Sequence, residues 1–136
     1  MANPLKIYIA GKITGNPNYR EDFTIGTVAV LKKIRGTYGR NLPVTLMLPS
    51  TEPKGLTNRH YMRISLDRID ECDIVAFLPN YTDSQGAQIE ERYARYTDKQ
   101  LMYLTVEEFE NVRSAQERKK AEQPYIIIGE EDEEHD

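Results

Sequence analysis

The stretch DSQGAQIEE at residues 83–91 places a carboxylate, Glu90, four residues after a glycine at the start of a helical segment. A carboxylate that faces a pocket at the end of a strand can do chemistry there. On a solvated helical face it does none. Gly86 argues for the first arrangement, because glycine weakens a helix interior by about 1 kcal/mol relative to alanine. That penalty makes sense where the backbone must lie against a ligand. Glu90 is one turn beyond Gly86 on the same face. Glu91 points about 100 degrees away and is expected to be solvated. Asp83 or Ser84 could cap this helix, whose N-terminus favours an anion.

A second group of suitable residues is GKITG, 11–15. Gly11 and Gly15 allow close approach of the backbone, and Lys12 and Thr14, on either side of Ile13, offer a cation and a hydroxyl. The composition is that of a phosphate cradle. It matches neither the Walker A spacing nor GxGxxG, and a tight turn from strand to helix is an equal alternative. Tyr19 and Arg20 could reach an anion or simply start a helix; Arg59, His60 and Arg63 read as an exposed basic turn. Tyr93 and Tyr96 read as core or subunit-contact rings. Cys72 is the one cysteine and is expected as a buried thiol. One cysteine, with His60 and His135 as the only histidines, makes no CxxC or histidine-based metal site, so neither metal nor cofactor is expected.

These residues need elements to hold them. LKIYIA (5–10), VTLML (44–48), DIVAFL (73–78), LMYLT (101–105) and YIII (125–128) read as strands. Between them, helical spacing runs from Tyr19 to Ile34, with Gly36 and Gly39 ending that helix. A second helix starts at Thr57 or Asn58 and runs to about Glu71, with Tyr61, Ile64, Leu66 and Ile69 on its buried side. Residues 85–97 and 106–122 are the last two helices, and PNYTDS is a loop. Continuously apolar strands alternating with helices predict a parallel sheet covered on both faces. Ligands of such sheets bind beyond the carboxyl ends of the strands, where GKITGN, PSTEPKG and PNYTDSQG all fall.

The 136 residues are enough for one core, and 39% hydrophobic with 29% charged residues excludes a disordered chain. No apolar run approaches the ~20 residues that span a bilayer and no leader is evident, so a cytoplasmic protein without membrane contacts is expected. The net charge is −4, and removing the six acids of residues 130–136 leaves +2 for residues 1–129. The expected organisation is one domain over 1–129 and an acidic disordered tail over 130–136. A body of +2 suits a small anionic substrate and is too weakly basic for a nucleic-acid polymer.

KIYIAGKITG, HYMRISLDRIDECDIVAFLPNY and DSQGAQIEERYA together resemble the nucleoside 2-deoxyribosyltransferase-like superfamily, and within it a branch of short, largely uncharacterised bacterial and phage proteins. The resemblance covers about residues 5–104. It implies an α/β fold, a single-domain Rossmann-like (flavodoxin-like) parallel sheet of four to five strands with helices on both faces, assembled as a homo-oligomer. It implies chemistry on the N-glycosidic bond of a nucleoside 5′-monophosphate or deoxynucleoside, by hydrolysis or base exchange. A nucleotide-binding protein of the same fold without turnover is the alternative.

By this resemblance Ser84, Gly86, Glu90 and Ala94 carry the superfamily's motif. Glu90 is implied as the nucleophile, with Tyr8 positioning it. Gly11, Lys12, Ile13, Thr14 and Gly15 would hold the base or the 5′-phosphate, and Ser84 the 5′ end. The superfamily usually has an aspartate eight residues before the one that opens the third strand; here that position is Ser65. A serine in the sugar-binding position cannot give acid–base help. Asp67, roughly 200 degrees round the helix, is a poor replacement.

Overall fold

The computed structural model describes residues 3–49, 54–115 and 126–128. The elements are β1 (Leu5–Ala10), α1 (Tyr19–Tyr38), β2 (Val44–Met47), α2 (Asn58–Asp70), β3 (Ile74–Phe77), a 3-10 turn (Pro79–Asp83), α3 (Gln85–Tyr96), β4 (Gln100–Tyr103), α4 (Val106–Ser114) and β5 (Ile126–Ile128). The strands form one parallel sheet in the order β4-β3-β1-β2-β5. The expected α/β fold with helices on both faces is present. The acidic segment 130–136 and the boundary at 129 lie outside the described residues.

β1 is the central strand, and alternation decides which layer each of its side chains enters. Ile7 and Ile9 pack with α1 and α4, beside Val30, Leu31, Ile34 and Phe109. Tyr8 and Ala10 face α2 and α3, beside Ile69, Ala87 and Ala94. A strand buried on both sides has no polar face, which is why LKIYIA shows no alternation.

Several boundaries differ from the sequence expectation. α1 continues through Gly36 to Tyr38 and stops at Gly39, whose φ is +95°. A lone glycine on an open face costs a helix only about 1 kcal/mol, and a side chain at Gly36 would meet nothing within 4 Å. PNYTD forms the 3-10 turn, with Pro79 in its first turn. Thr57 caps α2 by accepting from the His60 amide. The fully buried residues of α2 are Ser65 and Ile69; Tyr61, Ile64 and Leu66 are half-buried. One of the two buried positions on that helix is therefore polar.

α3 ends in a Schellman arrangement. The Lys99 amide donates to the Ala94 carbonyl at 2.9 Å and the Asp98 amide to the Arg95 carbonyl at 3.1 Å. Asp98 takes the left-handed position with φ of +61°, where glycine is the usual residue. Elsewhere glycine is required by packing. A Cβ on Gly11 would lie 2.7 Å from Leu78 Cδ1, and one on Gly26 would collide with Leu78 Cδ2.

Two substitutions should therefore move thermal stability in opposite directions. Asp98→Gly relieves a left-handed residue and should raise stability by up to about 1 kcal/mol. Gly26→Ala overpacks Leu78 and should lower it by about 1–3 kcal/mol. Chemical denaturation of both variants beside the parent chain checks the pair.

Candidate functional site

The chain leaves β1 toward β2 on one side and returns to β3 on the other, so the carboxyl end of β1 is the switch point of the sheet. On the α2/α3 face beside it, the Tyr8 hydroxyl donates to Glu90 Oε2 at 2.9 Å, and the contact is buried. Ser65 hydrogen-bonds to both residues. Three separated segments thus meet on one carboxylate.

Local structure explains the meeting. Tyr8 points to this layer because Ile7 and Ile9 point to the other. Ser84 caps α3, its Oγ accepting from the Ala87 amide at 3.1 Å, which fixes where the helix begins. Ala87, Glu90 and Ala94 then fall three and four residues apart on the sheet-facing side. Two alanines leave room for one carboxylate between them. Ser65 occupies the corresponding inward position of α2.

The electrostatics are unusual for a glutamate. Glu90 is 4% exposed, and burial pushes its carboxyl up from 4.5 to about 7 while the Tyr8 and Ser65 hydrogen bonds pull it back down. The Tyr8 hydroxyl is held well above its ordinary value, first by burial and then by the Glu90 charge, so it remains a donor. A carboxyl that titrates near neutrality inside an apolar layer is a recurrent feature of reactive sites.

The other candidate residues sit differently. The Lys12 ammonium is paired with Asp83 at 2.6 Å, and the Lys12 amide donates to Asn80 Oδ1 at 3.1 Å. Its charge is already matched within the chain. Ile13 packs against the α1 side of the core, Thr14 is exposed, and Gly15 turns the loop with φ of +76°. Gly11 is accounted for by Leu78. Gly86 is not: a Cβ there would meet Met62 Cε at 3.6 Å and Ser84 Oγ at 3.9 Å, which is ordinary contact. Among the described residues, packing leaves room for alanine at 86. Asp67 is exposed and Asp73 pairs with the Lys6 amide at the start of β3. Cys72 is buried and its thiol is pushed up to about 12, chiefly by burial.

Glu91, expected to be solvated, is instead the hub of a second network. It accepts from Tyr103 at 2.6 Å, from Arg95 at 3.1 Å and, more distantly, from Tyr81 at 3.5 Å. The Tyr103 hydrogen bond is the first reason its carboxyl lies below the usual range. Tyr103 itself is pushed up to about 12, first by burial. Phe77, Tyr81 and Tyr103 cluster beside it with centroids 5.1–5.6 Å apart, Phe77 and Tyr103 stacked and Tyr81 tilted against both. The Glu91–Arg95 spacing was visible in the sequence; the tyrosines, from the 3-10 turn and β4, were not. Among the described residues no cluster of three or more His, Cys, Asp or Glu could hold a metal ion, and no helix is long and apolar enough to cross a membrane.

A family described as "Domain of unknown function (DUF4406)" matches residues 5–103. The chain belongs to this family. The matched region of this DUF4406 chain runs from β1 to β4 and includes Tyr8, Ser65 and Glu90. Among solved structures it is similar to a 2-desoxiribosyltransferase from Leishmania mexicana, at 22% identity and a TM-score of 0.54. That likeness covers 75% of this chain and 65% of the Leishmania protein, so the DUF4406 chain spans less than two thirds of its length. It establishes the fold, and the superfamily resemblance holds at that level. No curated protein matches the chain.

A buried carboxyl raised to about 7 carries a stability signature. Between pH 4.5 and about 7 the folded chain keeps a proton that the unfolded chain has lost, so stability falls as pH rises through that window and stays reduced above it. Glu90→Gln removes the charge and keeps the shape. It should be more stable than the parent by about 1–3 kcal/mol at pH 8, with the difference vanishing toward pH 4.5. Denaturation curves of both proteins across that range measure it.

Proposed function

We propose that the protein cleaves the N-glycosidic bond of a deoxynucleoside or a nucleoside 5′-monophosphate, with Glu90 as the nucleophile. The observation that carries this reading is the buried Tyr8–Ser65–Glu90 contact at the switch point. The transferase activity for which the similar Leishmania protein is named supports it. The ionised Glu90 carboxylate attacks the anomeric carbon, the bond to the base breaks, and the base departs with the electron pair and takes a proton from water. A glycosyl ester on Glu90 remains. Attack on the same carbon by water gives hydrolysis, and attack by the nitrogen of a second base gives exchange. In either case the carboxylate is regenerated.

Tyr8 and Ser65 hold the attacking oxygens in place and favour their ionised form. Because Lys12 is already paired with Asp83, a 5′-phosphate would have to compete for its charge, and such exposed pairs are weak. A homo-oligomer belongs to the proposal: Ile89 and Tyr96, both exposed on the helix that carries Glu90, offer a neighbouring copy an apolar strip beside the site. A second reading, nucleotide binding without turnover, is favoured by one residue. Ser65 supplies no acid to assist departure of the base.

The deciding assay incubates the chain and Glu90→Ala with ribo- and deoxyribonucleosides and their monophosphates, with and without a free base, and resolves the products by chromatography. Base release or exchange lost in Glu90→Ala is expected. Saturable binding with no product from any substrate would favour the second reading. The rate should rise tenfold per pH unit up to about pH 7, where Glu90 ionises. Tyr8→Phe removes a hydrogen bond that lowers this value and should shift the acid limb to higher pH.

Gly86 provides a separate check. Gly86→Ala should retain stability or gain up to about 1 kcal/mol from helix propensity. If the α3 backbone lies against substrate, the same variant loses at least tenfold in kcat/KM. Melting curves and kinetics on one preparation separate the two effects.

A further inference from the structure

Glu90 is buried, yet a carboxylate that attacks a sugar has to meet it, so a neighbouring group must give way. The run of the two helices beside it shows which. α2 follows β2 and α3 follows β3 of the same parallel sheet, so both helices start at the carboxyl rim and run inward side by side. Their facing residues therefore pair in layers three or four residues apart.

Ser65 meets Glu90 in the middle layer. One turn deeper, Ile69 and Ala94 are fully buried and belong to the same cluster as Tyr8. One turn nearer the rim stand Met62 and Gly86. The Met62 Cε lies 3.6 Å from the position that a Cβ on Gly86 would take. A methionine thus faces the place where α3 has no side chain, directly above the carboxylate.

The two ends of this helix pair are held differently. At the deep end the Tyr93 hydroxyl donates to Asp70 Oδ1 at 2.7 Å, and the Lys99 ammonium donates to the Asp70 carbonyl at 2.9 Å. At the rim the facing group is a half-buried thioether. An unbranched side chain with three rotatable bonds repacks easily, and its sulfur makes favourable contacts with aromatic rings. The floor under Glu90 is fixed; the cover above it can move.

The direction of the reaction gives that cover a second role. Displacement at the anomeric carbon puts the departing base on the side away from the attacking oxygen. With Glu90 seated on the Tyr8 floor, that side is the rim, where Met62 stands.

We propose that Met62 is the movable cover of Glu90 and the residue that selects the base: it swings off Gly86 to admit the substrate between α2 and α3, and its thioether then lies against the ring of the departing base. Selection of the base rests on the N-glycosidic reading above; the cover does not.

The cover is tested without substrate. The Glu90 carboxyl carbon, followed by 13C NMR through a pH titration of the full chain, reports its solvation. Met62→Ala should let water reach the carboxyl and lower its midpoint from about 7 toward 4.5, by about one pH unit or more. Met62→Leu, similar in volume, should leave the midpoint in place. A midpoint unmoved in Met62→Ala would overturn the proposal.

Selection is read as affinity in Glu90→Gln, which lacks the nucleophile. Adding Met62→Ala should shift the ratio of Kd values for deoxyadenosine and thymidine at least tenfold toward the larger base. An unchanged ratio, or no saturable binding of either nucleoside, removes Met62 from base selection. If both arms succeed while the parent chain yields no product from any substrate, the turnover reading fails and the assignment of Met62 stands.

Discussion

The hydrogen bond from Tyr8 to Glu90 joins the centre of the sheet to the helix that follows β3, and much of the α2/α3 layer is arranged around it. A glutamate at 4% exposure is expensive to bury, because the charged form loses water and regains only part of that solvation from neighbours. Here the partners are two hydroxyl groups and no matching charge. The compromise is a carboxyl that ionises near neutrality. A layer optimised for stability would place an apolar side chain between Ala87 and Ala94. Retaining a carboxyl there is the kind of local inconsistency that accompanies function in an otherwise self-consistent fold.

The constraint propagates outward through helix starts. Glu90 reaches Tyr8 only if α3 begins at a fixed residue, and the Ser84 cap supplies that origin. The far end is closed by the Schellman turn at Asp98, which delivers the chain into β4. Glu91 then anchors the same helix sideways, through Tyr103 on β4 and Tyr81 in the 3-10 turn. Cap, turn and lateral network together fix the axial position and rotation of one helix, and adjacent glutamates serve opposite ends of that task. One is buried and raised; the other is partly exposed, hydrogen-bonded and lowered.

The fold was legible because buried parallel strands and capped helices are local signals. β1, β3 and the α3 start could be read from short windows, and Tyr8, Ser65 and Glu90 were all singled out before the fold was known. What escaped was long-range. Ser65, buried on α2 alongside Ile69, departs from the apolar periodicity of that helix, because a polar partner across the layer outranked Ile64 and Leu66. Glu91 was misjudged because its tyrosines arrive from elements 10 and 12 residues away. Gly11 resembled a ligand loop, yet it is fixed by Leu78 from the far end of β3, a contact no window of sequence contains.

The glycines separate two demands that sequence alone merges. Gly11 and Gly26 clasp Leu78 on the α1/α4 face, where a Cβ at either position would force the leucine out. That requirement is internal and belongs to the core. Gly86, on the α2/α3 face, meets only ordinary contacts, so the folded chain sets no comparable demand for its missing side chain. The switch point thus has a tightly packed side and a permissive side, and the buried carboxylate lies on the permissive one. If a substrate approaches Glu90 from beyond the α3 start, its path runs past Gly86.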